Sequence, residues 1–282
     1  MVFHYLIPIL YFSGFLFHNE KTNYKLRERY KSFYERNGQT QKADVKIIEK
    51  LADDDRFDYI FLTVKENQAH TALKELSSNN SPNIVTMINT LKPHGKWEKI
   101  CGKGRIIPAF PGAGGSFQGD ILKATLTPWV IQPTTFAEID GKKTKRLLEL
   151  SFILKKARIP YQIVKNMHEW QLCHLAMVVP IADAYYLADN PKEVWRERKV
   201  MARTAKQMKS NFRTLYHMGI HLSPWKMNLF RLVPVSILKM GLTVIFKSNF
   251  GDVFMYQHSM KAPDEMKQLH LQFYQYIQKP TM

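Results

Sequence analysis

The sequence predicts an α/β fold followed by an all-α one: a parallel-sheet domain over residues 1–165, then a helical domain over 166–282. Three observations carry this. Continuous apolar runs alternate with helical patterns between residues 58 and 110, as in a sheet covered on both faces. Strand signals fade after about residue 166. From there apolar residues recur at helical spacing.

The first run is Asp58-Tyr59-Ile60-Phe61-Leu62-Thr63-Val64-Lys65, entered from an acid and left at a lysine. Residues 66 to 77 follow as a helix, with Ala69, Leu73 and Leu76 on one stripe. Ser78 to Pro82 is a turn, and Ile84 to Ile88 a second buried strand ending at Asn89. Trp97 and Ile100 mark a short helix. Arg105 to Phe110 is a third strand, running into the glycine-dense segment Pro111-Gly112-Ala113-Gly114-Gly115. We expect a stiff turn there, where glycine lets a ligand or another backbone come close. Residues 121 to 139 have an antiparallel β character, Asp140-Gly141 is a turn, Thr144 to Lys156 an amphipathic helix and Tyr161 to Val164 a short strand. Residues 20 to 50 are polar and charged, apart from Val45, Ile47 and Ile48.

In the second half Val194, Met201, Ala205, Met208, Phe212 and Leu215 form one helix face. Met266, Leu269, Phe273 and Tyr276 repeat the pattern.

The chain has 282 residues and a net charge of +17, from 41 Lys+Arg and 24 Asp+Glu. That balance favours anionic partners such as a phosphorylated cofactor. The cations are dispersed, and no zinc-finger or RNA-binding signature accompanies them, so nucleic acid is not the expected partner. Two cysteines, Cys101 and Cys173, exclude a disulfide framework, and no CxxC pair suggests a metal. A cytoplasmic setting fits. The apolar residues 1 to 17 fall short of a membrane span and lack the features of a signal peptide.

Ligands of a doubly wound sheet bind beyond the carboxyl ends of its strands. Lys65, Asn89 and the turn with Gly112 and Gly114 stand there, and we expect them to hold a cofactor. Lys65 would meet a phosphate or carboxylate, and Asn89 a ribose or substrate. In Met167 to Met177, Trp170 and His174 share a helix face. His174 is either a proton donor or a core histidine packed by Trp170. Asp183 is a possible surface charge on the same helix. Pro263-Asp264-Glu265 is a normal helix opening, and Glu265 gains a role only if that end faces the cleft.

The strand–G-x-G-x-x-G–helix unit expected of a dinucleotide-binding sheet is missing before Asp58. Ser13-Gly14 supplies a lone glycine.

The strands ending at Lys65 and Asn89, the Arg105–Gly115 segment, Glu138-Ile139-Asp140-Gly141, the Trp170–Ala176 helix and Asp264-Glu265-Met266 together resemble the ketopantoate reductase (2-dehydropantoate 2-reductase) family. They resemble a divergent FPGAGG branch of it, over roughly residues 45 to 275. The resemblance implies a Rossmann-like domain, here incomplete, then a helical domain of the 6-phosphogluconate dehydrogenase-like type. It implies an active site in the cleft between them, and hydride transfer from NADPH to the carbonyl of a 2-keto acid. Lys65 and Asn89 would line the cleft and Glu265 would hold the substrate hydroxyl end. The family's lysine two residues after the helix tryptophan is replaced by Leu172, and its two asparagines by Ala176 and Pro180, so we expect His174 to serve as the acid. The competing expectations are a degenerate relative that binds without catalysis, and a basic nucleic-acid- or membrane-associated protein. Residues 1–20 are atypical of the family, and a wrong start or reading frame is one account of them. A homodimer is left open.

Overall fold

A computed structural model describes residues 30–36, 39–45, 51, 53–118 and 121–278. The apolar stretch 1–17, the lone Gly14 and the pair Ile47-Ile48 lie outside them. The chain divides into two compact units, the first ending at Met167 and the second starting at His168.

The first unit is built on a five-stranded sheet in the order β3-β4-β5-β8-β9. Its strands are β3 (Ile60–Leu62), β4 (Ile84–Met87), β5 (Ile106–Phe110), β8 (Thr134–Phe136) and β9 (Tyr161–Ile163). The first three run parallel, with Ile60 beside Ile84 and Ile84 beside Ile106. β8 runs antiparallel to β5 and parallel to β9.

The alternation of side chains along each strand explains why the β3, β4 and β5 runs are mostly apolar on both faces. Phe61, Val85, Met87, Ile107, Ala109 and Phe136 face one way, and pack on Leu147, Leu150 and Leu154 of α3 (Lys145–Lys156). Leu62, Ile84, Ile88 and Ile106 face the other way. There they meet Ala69, Ala72, Leu73 and Leu76 from α1 (Ala69–Glu75) and its end, and Trp97 and Cys101 of α2 (Gly95–Cys101). α1 is preceded by a 3-10 turn over Glu66–Gln68, so the expected helix at 66 to 77 changes type at its start. The Thr144 side chain caps α3 by accepting from the Leu147 amide at 3.4 Å.

A second sheet, β2-β1-β7-β6, differs from the sequence expectation. β1 (Tyr30–Arg36) and β2 (Gln39–Val45) form an antiparallel hairpin in the stretch read as merely polar. β6 (Ala113–Gln118) and β7 (Ile121–Leu126) form another. The glycine segment is therefore no five-residue turn. Only Pro111 and Gly112 turn, while Gly114 and Gly115 sit in β6, opposite Thr125 and Ala124. Cross-strand hydrogen bonds need only the backbone, so a glycine-rich run pairs when its partner strand is in place.

The second unit is helical: α4 (Met167–Leu187), α5 (Arg198–His217), α6 (Asn228–Leu232), α7 (Val235–Lys247), α8 (Gln257–Lys261) and α9 (Pro263–Ile277). α5 buries Met201, Ala205, Met208, Phe212 and Leu215 as the periodicity predicts. Val194, expected on that helix, belongs to a separate 3-10 segment, Pro191–Arg196, because Glu197 leaves the helical region at ψ 87°. α9 buries Met266, Leu269 and Phe273, and Pro263 opens it. No described helix is long and apolar enough to cross a membrane.

Candidate functional site

The described structure brings three of the predicted positions to one sheet edge. Lys65 follows β3, Asn89 follows β4 and Pro111-Gly112 follows β5, at the carboxyl ends of three adjacent parallel strands. The segments after β3 and β4 are joined by the Lys92–Glu66 ion pair at 2.5 Å. Lys65 is exposed, and its backbone amide donates to Gln68 Oε1 at 3.2 Å. Its exposed side chain thus leaves a fixed backbone at this edge.

Asn89 stands out. Its Oδ1 is buried and has no hydrogen-bond partner. An orphaned buried acceptor costs about 1–3 kcal/mol, so a bound donor would relieve it. This is the observation against which a nucleotide can be tested. A ribose hydroxyl or a carboxamide N–H has the complementary donor, and the residues at this rim fit such a group.

Gly112 owes its identity to packing. A Cβ there would lie 2.3 Å from the Thr134 nitrogen and 2.7 Å from the Gln132 carbonyl oxygen. Its amide donates to Thr134 Oγ1 at 3.1 Å, and its carbonyl accepts from the Thr127 amide at 2.9 Å. It uses no positive φ. The close approach expected of this glycine is to another backbone, and it fixes where β5 ends. Gly114, inside β6, lies beyond that junction.

Sequence reasoning missed what holds the opposite, amino end of these strands. Glu138, in the Glu-Ile-Asp-Gly segment after β8, is 5% exposed. Arg146 on α3 grips both its oxygens, the Nε bond measuring 2.6 Å, and Thr144 donates to Oε1. The same guanidinium donates to Asn83 Oδ1, the Gly104 carbonyl and the Ile106 carbonyl. Arg105 does related work, donating to the carbonyls of Ser81, Leu76 and Cys101. An acid and an arginine eight residues apart across a turn were the available signal.

In the helical unit α4 is buried on nearly every side. Trp170, Leu172, Cys173, Leu175 and Ala176 are at most 3% exposed. Leu172, where the family lysine would stand, is therefore a core residue. His174 is 6% exposed and stacks on Trp170, with ring centroids 5.2 Å apart and planes 7° from parallel. Burial, assisted by the nearby His258, pushes its pKa down to about 3, so it is neutral near pH 7. His258, on α8, is also pushed below the usual histidine range, mainly by desolvation of its ring, with Glu265 pulling the other way. Glu265 sits half-buried in the first turn of α9. Asp183 is no free surface charge: His270 Nδ1 holds it at 2.9 Å. Among the described residues no group of histidine, cysteine or acidic side chains is placed to hold a metal.

Residues 14–121 match the sequence model of ketopantoate reductase PanE/ApbA, beginning at the lone Gly14. No curated protein sequence matches. Among solved structures, 2-dehydropantoate 2-reductase from Geobacter metallireducens GS-15 is similar at TM-score 0.60 and 10% identity, over 95% of this chain and 94% of that one. The ternary structure of D-mandelate dehydrogenase with NADH and anilino(oxo)acetate is similar at TM-score 0.58 and 13% identity, over 87% and 84%. Dimeric ketopantoate reductase from Staphylococcus aureus is similar at TM-score 0.55 and 14% identity, over 89% and 88%. At these identities the likeness is one of fold. The sequence match to ketopantoate reductase PanE/ApbA thus covers residues 14–121, and beyond them the likeness to this family's solved structures is one of fold.

Proposed function

We propose that this chain is a nicotinamide-nucleotide-dependent oxidoreductase that reduces the carbonyl of a 2-keto acid or a similar small substrate, with NADP as its cofactor. The observation that carries the proposal is the orphaned Asn89 Oδ1 at the carboxyl edge of three parallel strands, with exposed Lys65 after the neighbouring strand. The NADH in the similar D-mandelate dehydrogenase structure supports a nucleotide, and its anilino(oxo)acetate supports a keto acid.

When bound, the reduced nicotinamide supplies hydride. The chain's own groups bind and orient. Asn89 Oδ1 accepts a hydrogen bond from a hydroxyl or amide, and Lys65 draws a phosphate or carboxylate as a point charge. Glu265 accepts from the substrate hydroxyl. His174 is neutral near pH 7 in the free protein. It serves as a general acid once a substrate carboxylate brought beside it raises its pKa.

The test is an NADPH titration followed by turnover assays with a panel of 2-keto acids. His174→Ala should lower turnover by about 100-fold or more while cofactor affinity holds. Normal turnover in that variant removes His174 from the reaction. A second reading is favoured by one observation, the burial of Leu172 with neutral His174 beside it: a relative that binds nucleotide or substrate without turning it over. Saturable NADPH binding with no oxidation of any keto acid would select it.

A further inference from the structure

The helical unit carries an open groove of about 700 Å³, lined by α5 and α9. Small-molecule sites fall in this size range, roughly 300–1,000 Å³. Lys199, Arg203 and Lys206 line it from α5 at spacings of four and three, so they share one face. They span about 10 Å along the helix.

The groove offers donors and cations and no carboxylate. Among the described residues, none of the three cations has an ion-pair partner. Asp183, whose carboxyl feels the charge of Arg203, is already held by His270.

A built polar cluster stands beside them. The Tyr274 hydroxyl oxygen accepts from Gln207 Nε2 at 2.5 Å and from Asn211 Nδ2 at 3.3 Å. Asn211, 3% exposed, is anchored in turn on the Ala176 carbonyl at 3.2 Å. With two N–H groups on its oxygen, the phenol keeps its own proton to donate. Burial raises its pKa, which keeps that proton on. Ser210 and Thr214 add hydroxyls, while Ala202 and Ile277 give an apolar wall.

We propose that this groove is a binding site for a small phosphate ester, its multiply charged head held by Arg203, Lys206 and the Tyr274 hydroxyl and its apolar body against Ile277. Arg203 suits a phosphate because its planar fork donates two parallel bonds. The inference does not depend on the carbonyl chemistry proposed above.

The experiment is calorimetric titration of the full chain with naphthyl phosphate at low ionic strength, with neutral naphthol as the comparison ligand. Saturable one-to-one binding of the phosphate is expected, with naphthol at least tenfold weaker. Arg203→Gln with Lys206→Gln should weaken naphthyl phosphate at least tenfold with unchanged melting temperature, and Tyr274→Phe should weaken it by a smaller factor. The exposed pair Lys143→Gln with Lys155→Gln, in the first unit, should bind as wild type. Several results would overturn the proposal: no binding to wild type, equal binding of naphthol, an unchanged Arg203/Lys206 variant, or an equal loss in the Lys143/Lys155 variant. So would preferential, steeply salt-dependent binding of a single-stranded oligonucleotide that naphthyl phosphate fails to displace.

Discussion

Removing the guanidinium of Arg146 is the sharpest perturbation this fold offers. Arg146→Met keeps most of the side-chain volume and deletes the charge. The Glu138 carboxylate, 6% exposed at its side chain, then loses both its Arg146 bonds and keeps only the Thr144 hydroxyl. Asn83 and the carbonyls of Gly104 and Ile106 lose donors as well. Breaking a buried pair on one side costs about 3–5 kcal/mol, because an uncompensated charge stays behind. A domain of this kind has roughly 5–15 kcal/mol in hand, so the variant folds marginally. Its melting temperature should fall by about 10 °C. The assay is urea unfolding of wild type, Arg146→Met, Glu138→Gln and the double variant. The double variant should recover at least about 1 kcal/mol relative to the sum of the singles, since it leaves no buried charge. A loss under about 1 kcal/mol in Arg146→Met, or simple additivity, would refute the view that this pair locks α3 to the start of β5.

Further outcomes follow from other sites. Asn89→Ala removes an acceptor that has no partner, so the free protein should be unchanged or up to about 1 kcal/mol more stable, while NADPH or substrate affinity drops about tenfold. Thermal melts with and without nucleotide check both halves. Gly112→Ala drives a methyl into the Pro133–Thr134 backbone, and urea unfolding should show a loss of about 3 kcal/mol. Histidines 168 and 174 both have pKa values lowered by burial. In the unfolded chain they take up protons as pH falls through the ordinary histidine value of 6.5, while folded His174 resists down to about 3. Stability is therefore full above about pH 7 and falls with acidification, by about 2 kcal/mol near pH 5 from His174 alone. Melts across that range, with His174→Phe flattening the dependence, measure it.

The parallel sheet was legible because Ile60–Leu62, Ile84–Met87 and Ile106–Phe110 are covered on both faces, which favours runs that are mostly apolar. The α5 face was legible for the matching reason, one buried stripe at helical period. The second sheet was legible only at β7, inside the stretch 121 to 139 read as antiparallel β. Its strands include Gln39–Val45, which is mostly polar, and Ala113–Gln118, which starts with glycines, so pairing partners rather than local pattern make them strands. Strand ends could be placed by counting, so Lys65 and Asn89 were expected at the sheet's carboxyl edge, where they stand. The partnerless state of Asn89 Oδ1 needed coordinates. So did the reason for Gly112, whose neighbours Gln132 to Thr134 are some twenty residues away in sequence. Whether His174 packs or reacts could not be decided from its spacing to Trp170, because a stacked core pair and a catalytic pair share that spacing.

The central claim is that this sheet edge takes a nicotinamide nucleotide. It is tested most directly by titrating NADPH and NADH into wild type and Asn89→Ala, following tryptophan fluorescence and then nicotinamide absorbance with 2-keto acids added. Saturable binding, weakened about tenfold in the variant, with NADPH oxidised by at least one keto acid, is the predicted result. Failure of both nucleotides to bind wild type at millimolar concentration would contradict it.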